Sequence, residues 1–372
     1  MGTTFEILSN PQLWYIVIFA IVFLFASTAT RSKDASIPTS ISLIQTRFIH
    51  RCFLSVTVVG LLIAIGNYVI NPLGLYSTTL TPPVTSTSHR DKLERWNALK
   101  SPPEIVILGS SRSVTAPVKV LQQETGKSVF NASVYGGSPR DYIAFLRYAI
   151  FHKQLPKFFI VGLGIEQVSE DVNVFFEPMD SLAQYVQDSP SEALKRVRYL
   201  LDIGQTQATF KSLVSRVMLG ETNTGNPFDV DGFRSFPDKP VFELAVDENI
   251  AGAYIRTGNL NATQILHLED FLELCREQNI YVIFYMPPYQ PRLLKAYEES
   301  PGYLPSQARL EEILSNLRQK YDFAFFDLTH IESVSGTPDM FVDGIHPKPE
   351  AQLLILDFIL RNTPQLNGTH AF

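Results

Sequence analysis

Hydrophobic positions are spread unevenly along the 372-residue chain, and the densest apolar runs come first. Residues 7–30 carry no charge, and within them "LWYIVIFAIVFLFASTAT" (13–30) is followed later by a second run, "CFLSVTVVGLLIAIGNYVI" (52–70). Crossing a bilayer takes about 20 apolar residues, whereas ordinary core helices run to about 10–14. The pattern therefore predicts two transmembrane helices, about 12–30 and 52–70. The first run lacks a basic leader and a second span follows it, which argues against a cleaved signal peptide. Arg31, Lys33, Arg47 and Arg51 lie between the spans, the first ten residues hold no Lys or Arg, and the next basic residue is Arg90. Positive charge favours the cytoplasmic side, so the 31–51 loop is expected inside and everything after the second span outside. "STTLTPPVTSTS" (77–88) reads as a polar tether, within a linker over 77–103.

Beyond residue 104 the rhythm changes. Short apolar runs, "EIVILG" (104–109), "KSVFNAS" (127–133), "KFFIVGLG" (157–164), "NIYVIFYMPP" (279–288) and "FAFFDL" (323–328), alternate with helical patterns at 117–125, 139–152, 261–278, 305–320 and 349–361. Asn261 and Gln264 stand in capping-box spacing ahead of Ile265, Leu268, Phe271, Leu272 and Cys275, which recur at helical intervals. Near-continuous apolar strands between helices predict a five-stranded parallel sheet covered on both faces, a three-layer α/β/α fold, in the order 2-1-3-4-5. Ligands of such sheets bind beyond the carboxyl ends of the strands. The third and fourth strands are separated by an insertion over about 166–260, with helical patterns at 189–201 and 209–220 and a structured loop at "NPFDVDGFRSFPDKP" (226–240). It is expected over the active face, as a lid, an acceptor platform or a structural cap.

Composition narrows the partners. The chain is 45% hydrophobic with a net charge of −6 and no basic cluster, which supports a sizeable core and argues against nucleic acid. Its two cysteines, Cys52 at a membrane edge and Cys275 on a helix, are placed neither to pair with each other nor to bind metal. No cofactor is expected.

Candidate chemistry sits at two turns. "MFVDGIHPKPEAQ" (340–352) puts Asp343 and His346 three residues apart just before the last helix. They make either a capped surface turn or the acid and base of a triad. A metal reading lacks a suitably spaced third ligand. "VILGSSRSVTAP" (106–117) ends the first strand with small residues, and Ser111 is the first of them free to face the sheet's carboxyl edge. A serine hydroxyl needs a base to take its proton, and backbone N–H groups at such a turn can receive an oxyanion. Ser110 is expected to point back into backbone hydrogen bonds, and Ser113 to lie within the turn that follows. Arg112 and Arg140 flank the site in sequence and are candidates to hold an anionic group.

Taken together, these residues resemble the SGNH, or GDSL-like, hydrolases over residues 104–361 apart from the insertion. Gly109-Ser110-Ser111 matches the family's Gly-Asp-Ser with Asp replaced by Ser, so the resemblance makes Ser111 the nucleophile. "NASVYGGSP" (131–139) matches the second block, with Gly136 supplying an oxyanion-hole N–H. "DGIH" matches the last block, with His346 as base and Asp343 as its orienting partner. The third block departs: the family's Gly-x-Asn-Asp is "LGIEQ" here, with Glu166 at the Asn position. An ionised Glu donates no hydrogen bond. Either Gln167 substitutes, or the hole relies on the Ser111 and Gly136 N–H groups alone. The resemblance implies an SGNH-like, flavodoxin-like fold over 104–372.

The membrane anchor, "LGSSR", "NASVYGGSP", "YMPPY" and "DGIHP" further resemble the membrane-anchored SGNH-like proteins of cell-envelope polymer acylation, among them teichoic acid D-alanine transfer and alginate acetylation proteins. That likeness implies an extracytoplasmic serine esterase or O-acyltransferase acting on acyl esters of envelope glycans or polymers, partnered with the cytoplasmic membrane and with a membrane acyltransferase. The rival expectation is a catalytically degenerate SGNH fold that binds glycan or scaffolds an envelope assembly.

Overall fold

A computed structural model describes residues 41–72, 87–170, 182, 185–186, 198–219, 227–236, 255 and 257–367. The chain divides into two compact units, one formed by residues 1–86 with 188–225, the other by 87–187 with 226–372. Among the described residues the helices of eight or more residues are, in chain order, α1 (Ile41–Ile70), α2 (Ser88–Asn97), α3 (Val118–Thr125), α4 (Pro139–Phe151), α5 (Ile203–Leu219), α6 (Ala262–Glu277), α7 (Pro291–Glu298), α8 (Tyr303–Arg318) and α9 (Pro349–Asn362). The strands are β1 (Ile105–Leu108), β2 (Val129–Asn131), β3 (Phe158–Gly162), β4 (Tyr281–Met286) and β5 (Phe323–Asp327).

The first unit contains α1 and α5. Within α1, Ile49–Ile70 is long and apolar enough to cross a membrane, and its bulky side chains are unburied, Phe53 being 74% and Leu62 63% exposed. The first apolar run lies outside the described residues, so one candidate span stands where two were expected. α1 begins at Ile41, so the last eleven residues of the stretch expected as a cytoplasmic loop, 41–51, are helical. At the far end of α1, the Asn67 amide is buried against α5 and its approach, donating to the Leu200 carbonyl at 2.9 Å and accepting from Thr209 Oγ1 at 2.7 Å. The pattern at 209–220 belongs to a helix that starts earlier, at Ile203, and the 189–201 pattern falls largely outside the described residues.

The second unit is the α/β/α sandwich. All five strands are parallel, in the order β2-β1-β3-β4-β5. Side chains alternate across each strand, so Val106, Phe159 and Phe284 pack toward α4, α6 and α8, while Ile105, Ile107, Ile160 and Ile283 pack toward α3 and α9. Both faces are buried, as the continuous apolar strands require.

α2 corrects the linker expected over 77–103. It is polar in composition, yet Ser88, His89, Lys92, Leu93 and Trp96 fall on one buried face at spacings of one to four residues. Trp96 is fully buried against Phe130, at 5.3 Å between ring centroids, and against Phe145 at 6.2 Å. The stretch from residue 87 therefore belongs to the folded domain.

Candidate active site

β1 ends at Leu108, and the chain turns at Gly109 into a short 3-10 turn over Ser111–Ser113. A Cβ at Gly109 would stand 2.5 Å from Ser113 Oγ, so only glycine lets the turn close this tightly. Ser113 is completely buried, with its hydroxyl 2.9 Å from the Tyr285 hydroxyl. Burial pushes the Tyr285 phenol up to about 12, which keeps it a neutral hydrogen-bonding group. Ser110 is also buried and accepts from the Arg112 N–H at 3.4 Å. That leaves Ser111, which is partly exposed, as the serine that faces outward.

The loop before α9 is pinched shut by an antiparallel bridge between Phe341 and Pro347 and by the Val342 N–H on the His346 carbonyl at 2.9 Å. Asp343 Oδ1 accepts the N–H groups of Ile345 and His346, both at 2.8 Å, which fixes the carboxylate in an Asx-type turn. Its other oxygen, Oδ2, stands 2.6 Å from His346 Nδ1. Three bonds moor this loop and the first turn of α9 to their surroundings. Thr115 Oγ1 donates to the Pro347 carbonyl at 2.8 Å, Gln352 Nε2 to the Arg112 carbonyl at 2.5 Å, and the Gln290 N–H to the Gly344 carbonyl at 3.0 Å. The result brings two segments 235 residues apart together: His346 Nε2 is 2.9 Å from Ser111 Oγ. Burial opposes ionisation of Asp343, but its bond to His346 and the two N–H groups more than offset this and hold the carboxyl below its ordinary value.

Gly136 lies in the loop after β2, which stays close to the nucleophile turn because the Val134 N–H donates to the Gly109 carbonyl at 3.1 Å. Gly136 itself has φ +64°, which favours glycine. Neither its N–H nor that of Ser111 meets an acceptor among the described residues. α2 supports the same loop from behind. Ser88 Oγ accepts from the Tyr135 N–H at 3.0 Å, Lys92 Nζ donates to the Asn131 carbonyl at 2.6 Å, and His89 Nε2 lies 2.8 Å from Asp141 at the start of α4.

Two expected substrate contacts are redirected. Gln167 is buried and its amide is committed: Nε2 donates to the Gly137 carbonyl at 2.7 Å and to the Tyr142 hydroxyl at 2.8 Å, while Oε1 accepts the Gly164 N–H. It braces the third loop and has no donor left for an oxyanion. Arg112 is 4% exposed and donates to the Pro287 and Pro288 carbonyls at 2.6 and 2.8 Å. It also pairs with Glu166 at 3.3 Å and stacks over Tyr289, 3.9 Å from the ring centroid. Burial disfavours its charge, but Tyr289 and Glu166 reverse the balance and raise its pKa above the ordinary value. Arg112 thus serves as a structural cation, and Glu166, which also accepts from the Tyr289 hydroxyl at 2.7 Å, is its counterion.

Sequence reasoning missed the residues that wall the site. Phe236 lies with its ring centroid 4.9 Å from that of His346, and its ring is 6.4 Å from Tyr135. The loop at 226–240 stood out as structured, but nothing in its residue types says which ring reaches the imidazole.

No family model and no curated protein matches the chain. Among solved structures it is similar to a GDSL-like lipase from Bacteroides thetaiotaomicron, with 11% identity, a TM-score of 0.38, and coverage of 75% of this chain and 97% of that one. It is also similar to a protein provisionally described as an acylhydrolase from Bacteroides fragilis, with 12% identity, a TM-score of 0.35, and coverage of 74% and 98%. At these scores the likeness is too coarse to assign a role to any residue, so the site's reading comes from its own geometry.

Proposed function

We propose that the protein is a serine esterase or O-acyltransferase with Ser111, His346 and Asp343 as its catalytic triad. The observation that carries this reading is the continuous chain from Asp343 Oδ2 through His346 to Ser111 Oγ, at 2.6 and 2.9 Å. Ser111 Oγ attacks the ester carbonyl carbon while His346 Nε2 takes its proton. Asp343 holds the imidazole with Nδ1 protonated and stabilises the imidazolium. The carbonyl oxygen becomes an oxyanion that receives the Ser111 and Gly136 N–H groups. The tetrahedral adduct then expels the alcohol, which takes the proton from His346. Water, or the hydroxyl of an acceptor, attacks the acyl-serine with His346 again as base; the bond to Ser111 Oγ breaks, Oγ takes the proton back from His346, and the acid or the new ester departs.

The candidate span in α1 supports a membrane-anchored enzyme. The charge asymmetry around residues 31–51 supports an extracytoplasmic domain. In that setting its substrates would be acyl esters of envelope glycans or polymers, and a membrane acyltransferase beside it would favour transfer. Protease added to intact spheroplasts is expected to remove the domain; complete protection would reverse the orientation.

A second reading, a degenerate fold that binds glycan, draws on one observation: Glu166 and Gln167 supply no side-chain donor where a third oxyanion contact is expected. Labelling of the detergent-solubilised protein with a fluorophosphonate separates the two. Wild type is expected to label and Ser111→Ala not to; equal labelling of both, or of neither, would favour the binding reading.

A further inference from the structure

We propose that Arg234, with Tyr135 and Phe236, forms an anion-selecting subsite beside the triad, so that the substrate is an ester bearing a negatively charged group close to the scissile bond. The proposal rests on the esterase reading above and names the chemistry that reading leaves open.

The subsite begins at the catalytic groups themselves. Phe236 meets the His346 ring edge-on at 4.9 Å, and Tyr135 is the residue before Gly136. Their rings are 6.4 Å apart with planes 32° from one another, and both side chains are partly exposed. A substrate whose carbonyl lies between Ser111 and Gly136 therefore has an aromatic wall on this side.

Arg234 lies against Tyr135 in that wall. Its guanidinium carbon lies 5.6 Å from the centroid of Tyr135 and 5.8 Å from that of Phe228. The side chain is partly buried and meets no carboxylate within ion-pair distance among the described residues. The nearby Asp231 uses Oδ1 to accept the Phe233 N–H at 3.1 Å, which shapes its own loop. Arg112, the cation of the nucleophile turn itself, is already committed to Glu166 and two carbonyls. A guanidinium remains charged at any ordinary pH, and its planar fork matches carboxylate, phosphate or sulfate oxygens. Partial burial makes such a pairing stronger than it is in open water.

The backbone holds Arg234 in place before any substrate arrives. Its N–H donates to the Val114 carbonyl at 3.2 Å, immediately after the nucleophile turn, and the Asp231 carbonyl accepts from the Asn131 N–H at 2.9 Å, at the end of β2. Lys92 fastens the same loop through the Gly232 carbonyl. A loop anchored at the nucleophile turn and at β2 presents its arginine at low ordering cost.

The test uses the full chain in detergent and two matched pairs of chromogenic or ultraviolet-detected esters. In the first pair the charge is on the acyl side: mono-4-nitrophenyl succinate against its methyl ester. In the second it is on the alcohol side: 4-acetoxybenzoate against its methyl ester. The readout is the ratio of kcat/KM for the charged over the neutral member, which cancels any general loss of activity in a variant. Wild type is expected to favour the charged member of one pair by roughly tenfold or more at low ionic strength, with the preference carried by KM and fading with salt. The responding pair tells which side of the ester carries the charge. Arg234→Gln is expected to bring the ratio down to about one, and Arg234→Lys to keep part of it, with melting temperatures close to wild type. A wild-type ratio near one in both pairs, or a preference that survives Arg234→Gln, overturns the subsite while leaving the esterase intact. No labelling and no hydrolysis of any ester overturns both.

Discussion

Two histidine–aspartate–serine sets lie in the same domain, and they differ in which group stands in the middle. In one, His346 lies between Asp343 and Ser111, at 2.6 and 2.9 Å. In the other, Asp141 lies between His89, at 2.8 Å, and the Ser138 hydroxyl, at 2.9 Å. An imidazole in the middle can take a proton from the serine at one nitrogen while the carboxylate steadies the other. A carboxylate in the middle simply accepts from both neighbours, and the serine keeps its proton. Exposure follows the same division: the His346 side chain is 13% exposed, whereas those of His89 and Asp141 are 2% and 5%. The same three residue types thus build the proposed triad at one place and a structural clamp at the other, where Asp141 stands in the first turn of the helix that follows the Gly136 loop.

The largest expected difference between the two sets is in activity. Ser111→Ala and His346→Ala should each lower ester hydrolysis by on the order of 10³-fold or more, to a similar residual rate, because triad members act as a unit. Asp343→Asn should cost a comparable or smaller factor. Steady-state kinetics on a chromogenic ester measures all three, and a Ser111→Ala variant with wild-type turnover would show that the His346 set is no more catalytic than the His89 set.

Stability should respond in the opposite way. His89→Ala leaves the Asp141 carboxylate buried beside an empty space, and breaking a buried pair on one side costs about 3–5 kcal/mol. Urea unfolding should show that loss, while whatever fraction remains folded still reacts with fluorophosphonate. A variant of unchanged midpoint would mean that the clamp carries no load.

Acid should affect both sets in the same direction. Burial disfavours ionisation of Asp141, but the His89 bond and charge outweigh it and lower its pKa, as His346 does for Asp343. A carboxyl whose folded pKa is depressed contributes stability that is present above its unfolded value, about pH 4, and is lost as pH falls through the folded value. Melting temperature should therefore hold above about pH 5 and fall below about pH 4, more steeply for wild type than for Asp141→Asn or Asp343→Asn.

The smallest effect belongs to Ser138→Ala. It removes one hydroxyl from Asp141, a charge-assisted bond worth about 1.5–3 kcal/mol, and Asp141 keeps the Ser138 N–H at 2.7 Å. Thermal unfolding should record a small drop without loss of fluorophosphonate labelling.

Residues that act through local pattern were readable from the chain alone. Ile105–Leu108 or Tyr281–Met286 announce themselves because both faces of a parallel sheet are buried, so the strand is apolar throughout. Asp343 and His346 share one short turn, and Ser111 ends the first strand, so their meeting follows from the topology. What stayed hidden depends on partners distant in sequence. Ser88, His89 and Lys92 look like a solvated linker until Tyr135, Asp141 and Asn131 arrive to bond them. Arg112 beside the nucleophile invites a substrate role, which the carbonyls of Pro287 and Pro288, 175 and 176 residues away, take from it. Gln167 is withdrawn in the same way by Gly137 and Tyr142.

The place of Lys92 bears on where the domain can be cut from the apolar helix α1 that precedes it. Its ammonium is completely buried among the Asn131 and Gly232 carbonyls and the Phe228 ring, 4.3 Å from the centroid, and burial depresses its pKa well below the usual lysine value. A soluble fragment begun at the first strand, residue 104, would delete that ammonium together with Trp96, leaving two interior carbonyls without a donor and a hole the size of an indole. A fragment begun at Thr87, whose side chain accepts from the Arg90 N–H at the head of α2, retains all of it. Secretion yield and proteolytic resistance of the two fragments would show that the domain's true amino-terminal edge is a helix with almost no hydrophobic signature.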